Sequence, residues 1–192
     1  NSIRLLKNTI QKFGASRIIL PHLCSDSRKK AISKRMQPHK KRQQFNFKGM
    51  APISEQEQNR ITAAIEAAEQ ATSGEIRICL EKKCPEDVLD RAANYFHKLG
   101  MDETALRNGV LIYIATDDHK FAIIGDAGIN KVVPPNFWDS TKDAMRARFK
   151  DGDVAEGIVT GIRMAGEQLK KHFPYHDDDK NELPDDISFN GY

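Results

Sequence analysis

The run Val110-Leu111-Ile112-Tyr113-Ile114-Ala115 constrains the fold more than any other part of the chain. Six consecutive apolar residues, rich in β-branched side chains, are too few for an ordinary helix. They read as a strand buried on both faces. Asp117-Asp118-His119 follows at once and has the chemistry of a turn. Lys120 to Ile124 then returns as a second apolar run, which makes an antiparallel hairpin. A strand buried on both faces needs cover above and below, so helices must flank this sheet.

The helices are legible around it. Ser54-Glu55-Gln56-Glu57 is a capping box, and Ile61, Ala64, Ile65, Ala68 and Ala71 follow at helical spacing. This first helix should end near Thr72, ahead of Gly74. Glu75 to Leu80 reads as the first strand. Pro85 suits the first turn of a second helix, whose apolar face is Val88, Leu89, Ala92, Ala93, Phe96 and Leu99. Gly100 supplies its stop. Strand, helix and strand at this spacing make a right-handed crossover between parallel strands.

Beyond the hairpin, Gly125-Asp126-Ala127-Gly128 reads as the opening of a loop, and Pro134-Pro135 blocks helix. A third helix should turn Trp138, Met145 and Phe149 inward. Asp153-Val154-Ala155-Glu156 starts a fourth, lined by Val154, Ile158, Ile162, Ala165 and Leu169. Gly157, Gly161 and Ala165 would let a neighbour pack closely. The fold class is therefore α/β, with a small mixed sheet built from a parallel crossover and an antiparallel hairpin.

Charge divides the chain. Residues 1–50 carry 13 Lys/Arg and one acid, Asp26, whereas residues 51–192 carry 17 Lys/Arg and 26 acids. The basic segment is too polar to offset its ordering entropy and is expected to be a disordered extension. The chain opens on Asn, and Met50-Ala51-Pro52 precedes a well-formed domain, so this segment reads as upstream of, or foreign to, the native protein. A folded domain over 51–173 and an acidic tail over 174–192 complete the expected organisation. The tail should wrap the surface or move. Nucleic acid is a partner only if the basic segment is native, because the domain itself is acidic.

Three cysteines, Cys24, Cys79 and Cys84, give no disulfide framework and no zinc spacing. Cys79 reads as a small buried hydrophobe. No run approaches the roughly 18 apolar residues of a membrane span. No signal-peptide pattern precedes the domain, and the expected setting is cytoplasmic.

The hairpin register gives a candidate site. With the turn centred between Asp117 and Asp118, Gly109 pairs with Asp126. The first strand is parallel to the second, so Glu75 lies at that same end beside Asn108. Oxygen-bearing side chains meeting at a glycine-containing loop suit a hard cation, Ca²⁺ or Mg²⁺. Asp102, Asp151 and Asp153 sit in loops expected to reach the same end. Asp117 and Asp118 form a weaker second candidate at the turn. The competing reading pairs Glu75 with Arg77 and Asp126 with Arg107 as ordinary ion pairs. No Cys, Ser or His stands in a nucleophile motif, and the loop at Gly125 lacks the P-loop pattern, so no catalytic residue is assigned.

Three blocks carry a family resemblance. They are Ser73-Gly74-Glu75-Ile76-Arg77-Ile78, Arg107-Asn108-Gly109-Val110-Leu111-Ile112-Tyr113-Ile114 and Ile124-Gly125-Asp126-Ala127-Gly128-Ile129. In their order and separation the chain resembles the TPM domain family from about Ile53 to Phe173. Met101, Asp102, Thr104 and Asn181-Glu182-Leu183-Pro184-Asp185 make it similar to a short, soluble bacterial subgroup. The resemblance implies a three-layer α/β/α sandwich. It also implies functions associated with the family: divalent-cation binding, acid phosphatase activity and the upkeep of photosynthetic complexes. Glu75, Asn108 and Asp126 match its polar positions. The chain departs from many relatives in showing no signal peptide and no membrane anchor. Two expectations result. One is a Ca²⁺-binding module, with Mg²⁺ as alternative, acting through a protein partner. The other is a metal-dependent phosphatase of low activity acting on a small phosphorylated molecule.

Overall fold

The computed structural model describes residues 53–175, 183 and 187–190. The basic segment over 1–50 lies outside the described residues. Helix α1 (Glu55–Glu69) starts at the expected box, where Ser54 Oγ accepts from the Glu57 amide at 3.3 Å and Glu57 Oε2 accepts from the Ser54 amide at 2.8 Å. Strand β1 (Ile76–Glu81) follows, one residue later than the sequence pattern placed it. Helix α2 (Val88–Lys98) leads to β2 (Val110–Ala115), and Gly100, at φ 70°, ends the helix in the left-handed region. Its start corrects the sequence reading. Pro85 lies outside the helix, because Asp87 caps it by accepting from the amides of Leu89 and Asp90.

β3 (Lys120–Gly125) returns antiparallel to β2, with Val110 opposite Gly125 and Ala115 opposite Lys120. β1 runs parallel to β2, with Ile76 beside Val110. Then come α3 (Ala127–Val132), α4 (Phe137–Lys150) and α5 (Val154–His172). The segment read as a loop from Gly125 is thus a short helix entered through Asp126. Within the expected acidic tail, Ser188–Asn190 form β4, parallel to β1 on the side away from β2. The sheet order is β3-β2-β1-β4.

Side chains alternate across this sheet and build two cores. Ile76, Ile78, Leu80, Val110, Ile112 and Ile114 face α1, α4 and α5. Cys79, Leu111, Tyr113, Ala122 and Ile124 face α2. All six residues of β2 are buried, as its unbroken apolar run required. The result is the expected three-layer α/β/α sandwich. The small residues of α5 work as read: a side chain at Gly161 would meet the sulfur of Met145 at 2.5 Å, so α4 and α5 approach closely there.

Candidate functional site

Two polar clusters lie at opposite ends of the strands, and their chemistry differs. At the hairpin end, the Glu81 carboxylate accepts from Arg91 Nε at 2.9 Å and also from Arg91 Nη2. It accepts from the Tyr113 hydroxyl at 2.6 Å and the Tyr95 hydroxyl at 3.2 Å. The Arg91 guanidinium holds Glu81 below the usual carboxylate range, and burial raises both tyrosines. Asp118 belongs to the same end. Its Oδ2 accepts from the Cys84 amide at 2.6 Å, while Lys120 Nζ donates to the Cys84 carbonyl at 2.8 Å. Asp118 therefore ties the turn to the β1–α2 loop, and Asp117 beside it is exposed. Burial pushes the Cys79 thiol up to about 12, which fits its reading as a buried hydrophobe.

At the other end the strands begin. The Asp126 amide donates to the Gly109 carbonyl at 2.9 Å and the Val110 amide to the Glu75 carbonyl at 2.8 Å. Glu75, Gly109 and Asp126 are therefore lateral neighbours, as the hairpin register predicts. Asn108 joins them through its side-chain amide, which donates to the Ser73 carbonyl at 3.0 Å. Asp102 arrives through Gly109, where the absence of a side chain lets the Met101 carbonyl oxygen come within 2.8 Å of the Cβ position. So Glu75, Asn108, Asp126 and Asp102 share one end.

Asp151 and Asp153 do not join them. The end of α5 is tied to Ser73, whose amide donates to the Phe173 carbonyl at 3.0 Å. At 19 residues this helix is about 27 Å long, so its start lies toward the opposite end of the sheet. There Asp153 accepts from the Glu156 amide at 2.9 Å and caps the helix, and both aspartates are exposed.

Asp126 is wholly buried, at 0% exposure, and carries the alternative ion-pair reading. Arg107 Nε donates to its Oδ2 at 2.6 Å and Nη2 to its Oδ1 at 2.9 Å. Oδ1 also accepts from the Ala127 amide at 2.6 Å, at the entry to α3. The bidentate bond raises the already high pKa of Arg107, and Asp102 adds to it through space. The arginine side chain is nonetheless 48% exposed. Its backbone is held at φ 53°, in the left-handed region that few non-glycine residues adopt. The hold comes from α3: the Gly128 amide donates to the Arg107 carbonyl at 2.7 Å, and the Leu106 carbonyl presses on the place where a Gly128 side chain would stand.

Sequence reasoning missed Thr104 and Ser73 as members of this end. Asn108 Oδ1, Asp102 Oδ1, Thr104 Oγ1 and Ser73 Oγ are buried oxygens with no hydrogen-bond partner among the described residues. Asp102 uses its other oxygen on His97 Nδ1, at 2.9 Å. Among the described residues, no three His, Cys, Asp or Glu side chains form a ready-made metal cage. Any ion there would rely on amide, hydroxyl and carbonyl oxygens as well as carboxylates. Thr104 could have been found from its place between Asp102 and Asn108. Ser73 enters through its carbonyl, which accepts from Asn108, and through its amide, which donates to Phe173 at the end of α5.

Layers and strand order define a small α/β/α domain with a polar cluster at the strand entrances. A family model described as the TPM domain matches residues 48–168, and the chain belongs to that family. It is similar to the BA42 protein of the psychrophilic bacterium Bizionia argentinensis, solved by NMR. The two share 49% identity, with 73% of this chain and 97% of that chain covered and a TM-score of 0.68. It also matches the N-terminal domain of the cg2496 protein from Corynebacterium glutamicum. There identity is 17%, covering 61% of this chain and 74% of that one, with a TM-score of 0.48. A search among curated proteins found no match. No helix among the described residues is long and apolar enough to cross a membrane.

Proposed function

We propose that the end of the sheet where β1 and β2 begin binds a divalent cation, Ca²⁺ with Mg²⁺ as competitor, in a module that acts through a protein partner. The observation that carries this reading is the set of buried oxygens on Asn108, Asp102 and Thr104 that have no hydrogen-bond partner among the described residues. A buried polar atom left unsatisfied costs about 1–3 kcal/mol. A hard cation takes six to eight oxygen ligands, neutral ones included, and would satisfy several of these at once. Glu75 and Asp126, both buried at this end, supply the negative charge. A site of this mixed character favours the larger and more flexible coordination of Ca²⁺ over the strict octahedron of Mg²⁺. Asp151, Asp153, Asp117 and Asp118 have no part in it.

The test is a titration of the whole chain with Ca²⁺, then Mg²⁺, followed by amide NMR. Saturable shifts centred on Glu75, Asp102, Thr104 and Asn108 are expected, and Asn108→Ala should weaken them. Absence of any shift up to about a millimolar of Ca²⁺, the weak end of protein calcium sites, sinks the reading.

One observation favours the phosphatase as second reading. Arg107 presents a half-exposed guanidinium fixed by Asp126, and guanidinium groups match phosphate geometry. Hydrolysis of an aryl phosphate with added metal, lost in Arg107→Gln, is its expected mark. Equal rates in both proteins refute it.

A further inference from the structure

We infer that Arg107 is an exchangeable counter-ion, which occupies Asp126 until a divalent cation replaces it. This rests on the cation reading above and names how that site is controlled. A carboxylate as deeply buried as Asp126 requires a positive partner, because an isolated charge is strongly disfavoured away from water. In the structure Arg107 is that partner, through Nε at 2.6 Å and Nη2 at 2.9 Å. With the Ala127 amide also on Oδ1 at 2.6 Å, the carboxylate oxygens have little room for a further ligand. A cation and the guanidinium therefore compete for the same oxygens.

The two members of the pair are not alike. Asp126 cannot leave, because its Oδ1 accepts the Ala127 amide and its own amide is bonded to the Gly109 carbonyl. Arg107 can leave, because its side chain is 48% exposed and the guanidinium would pass directly into water. Its main chain need not follow, since the Gly128 amide keeps the Arg107 carbonyl in place at 2.7 Å. The adjacent residue, Asn108, carries one of the buried oxygens with no hydrogen-bond partner among the described residues. Exchange thus swaps one cation for another at Asp126 and satisfies oxygens that the guanidinium, a donor fork aimed at Asp126, leaves without donors. It also releases a charged arginine at the surface next to exposed Leu106. Cation binding then becomes a change of surface charge, readable by an acidic partner.

The experiment follows the side-chain Nε–H signal of Arg107 in the whole chain during titration with calcium chloride. That signal is assigned by its loss in Arg107→Lys. Without Ca²⁺ it should exchange slowly with water. With Ca²⁺ it should move to the position of a solvated arginine, at the same midpoint as the Asn108 and Asp102 amides. Arg107→Gln removes the competitor, and its Ca²⁺ affinity should rise on the order of tenfold, as for loss of a charge-assisted bond. Saturable amide shifts with an unmoved Arg107 Nε–H overturn the exchange and leave the cation reading intact. An unchanged or weaker affinity in Arg107→Gln does the same. If no amide shifts in either protein, the cation reading itself fails and the exchange fails with it. The wild-type side-chain signal keeps the test decisive even if Arg107→Gln folds poorly.

Discussion

Glu81→Gln replaces one charged oxygen of the hairpin-end cluster by an amide of nearly the same shape. The carboxylate accepts twice from Arg91 and once each from Tyr113 and Tyr95. Hydrogen bonds to a charged group contribute roughly 1.5–3 kcal/mol each. They share one acceptor group and are not additive, and glutamine keeps one carbonyl oxygen for Tyr113 or Arg91. Removing one member of a buried ion pair costs about 3–5 kcal/mol. Arg91 is 29% exposed, so water recovers part of its share. The expected loss is therefore about 2–3 kcal/mol, or a fall in Tm of roughly 10 °C for a domain of this size.

The sign with pH is fixed by the direction of the shift. Arg91 first, then the two tyrosine hydroxyls, hold Glu81 below its ordinary value of 4.5. A depressed carboxylate contributes stability that is complete above the unfolded value and is lost as pH falls through the folded one. The gap between wild type and Glu81→Gln should therefore be flat near neutrality and close as the solution is acidified beyond 4.5. Urea denaturation at a series of pH values reads both quantities. A gap at neutral pH within about 0.5 kcal/mol, the range of an ordinary surface change, would refute the account. So would a gap that stays constant into strong acid.

Gly128→Ala should destabilise by about 3 kcal/mol, at the upper end for overpacking, because the added methyl meets the backbone carbonyls of Leu106 and Arg107 and neither can rotate away; an unchanged denaturation midpoint would show that the loop before β2 is not locked. Ser54→Ala removes the acceptor for the Glu57 amide and should cost about 1 kcal/mol by the same measurement. Asp118→Ala frees the Cys84 amide, so a thiol reagent should label Cys84 severalfold faster under native conditions while Cys79 stays slow; equal labelling of Cys84 in both proteins counts against a clamping role for Asp118.

Most of the sandwich was legible because its signals are periodic. The unbroken run from Val110 to Ala115 fixed a buried strand, and the four residues before Lys120 fixed its hairpin register. That register alone carried Glu75, Asn108 and Asp126 to one end. What escaped was held by single contacts. Six residues starting Ala127-Gly128 are too short to show a helical face, so the sequence there carries only the signal of a loop. Pro85 and Asp87 are both acceptable helix openers, and only the bonds of Asp87 to Leu89 and Asp90 decide between them. β4 has three residues and forms by pairing with Cys79 to Glu81, more than a hundred positions away, beside an acidic stretch that argued for a tail. Asp151 and Asp153 lie away from that end for a reason already in the sequence. The helix after them is long enough to carry them the length of the sheet.

The two strand ends differ in how far their polar groups satisfy one another. At the hairpin end, one carboxylate meets an arginine and two hydroxyl donors, and its oxygens are fully used. Removing a group there leaves donors or a charge unmatched, so the cluster stabilises the fold and has little capacity for a ligand. At the other end the imbalance runs the opposite way. Asn108, Asp102, Thr104 and Ser73 bring buried oxygens with no hydrogen-bond partner among the described residues, and the Arg107 guanidinium is already engaged with Asp126. The Thr104 and Ser73 hydroxyls can each donate one hydrogen bond, but the amide oxygen of Asn108 and an ionised Asp102 oxygen can only accept. An added group carrying positive charge would satisfy acceptors of that kind. The proposed cation is such a group, since a hard cation takes neutral oxygens as well as carboxylates as ligands.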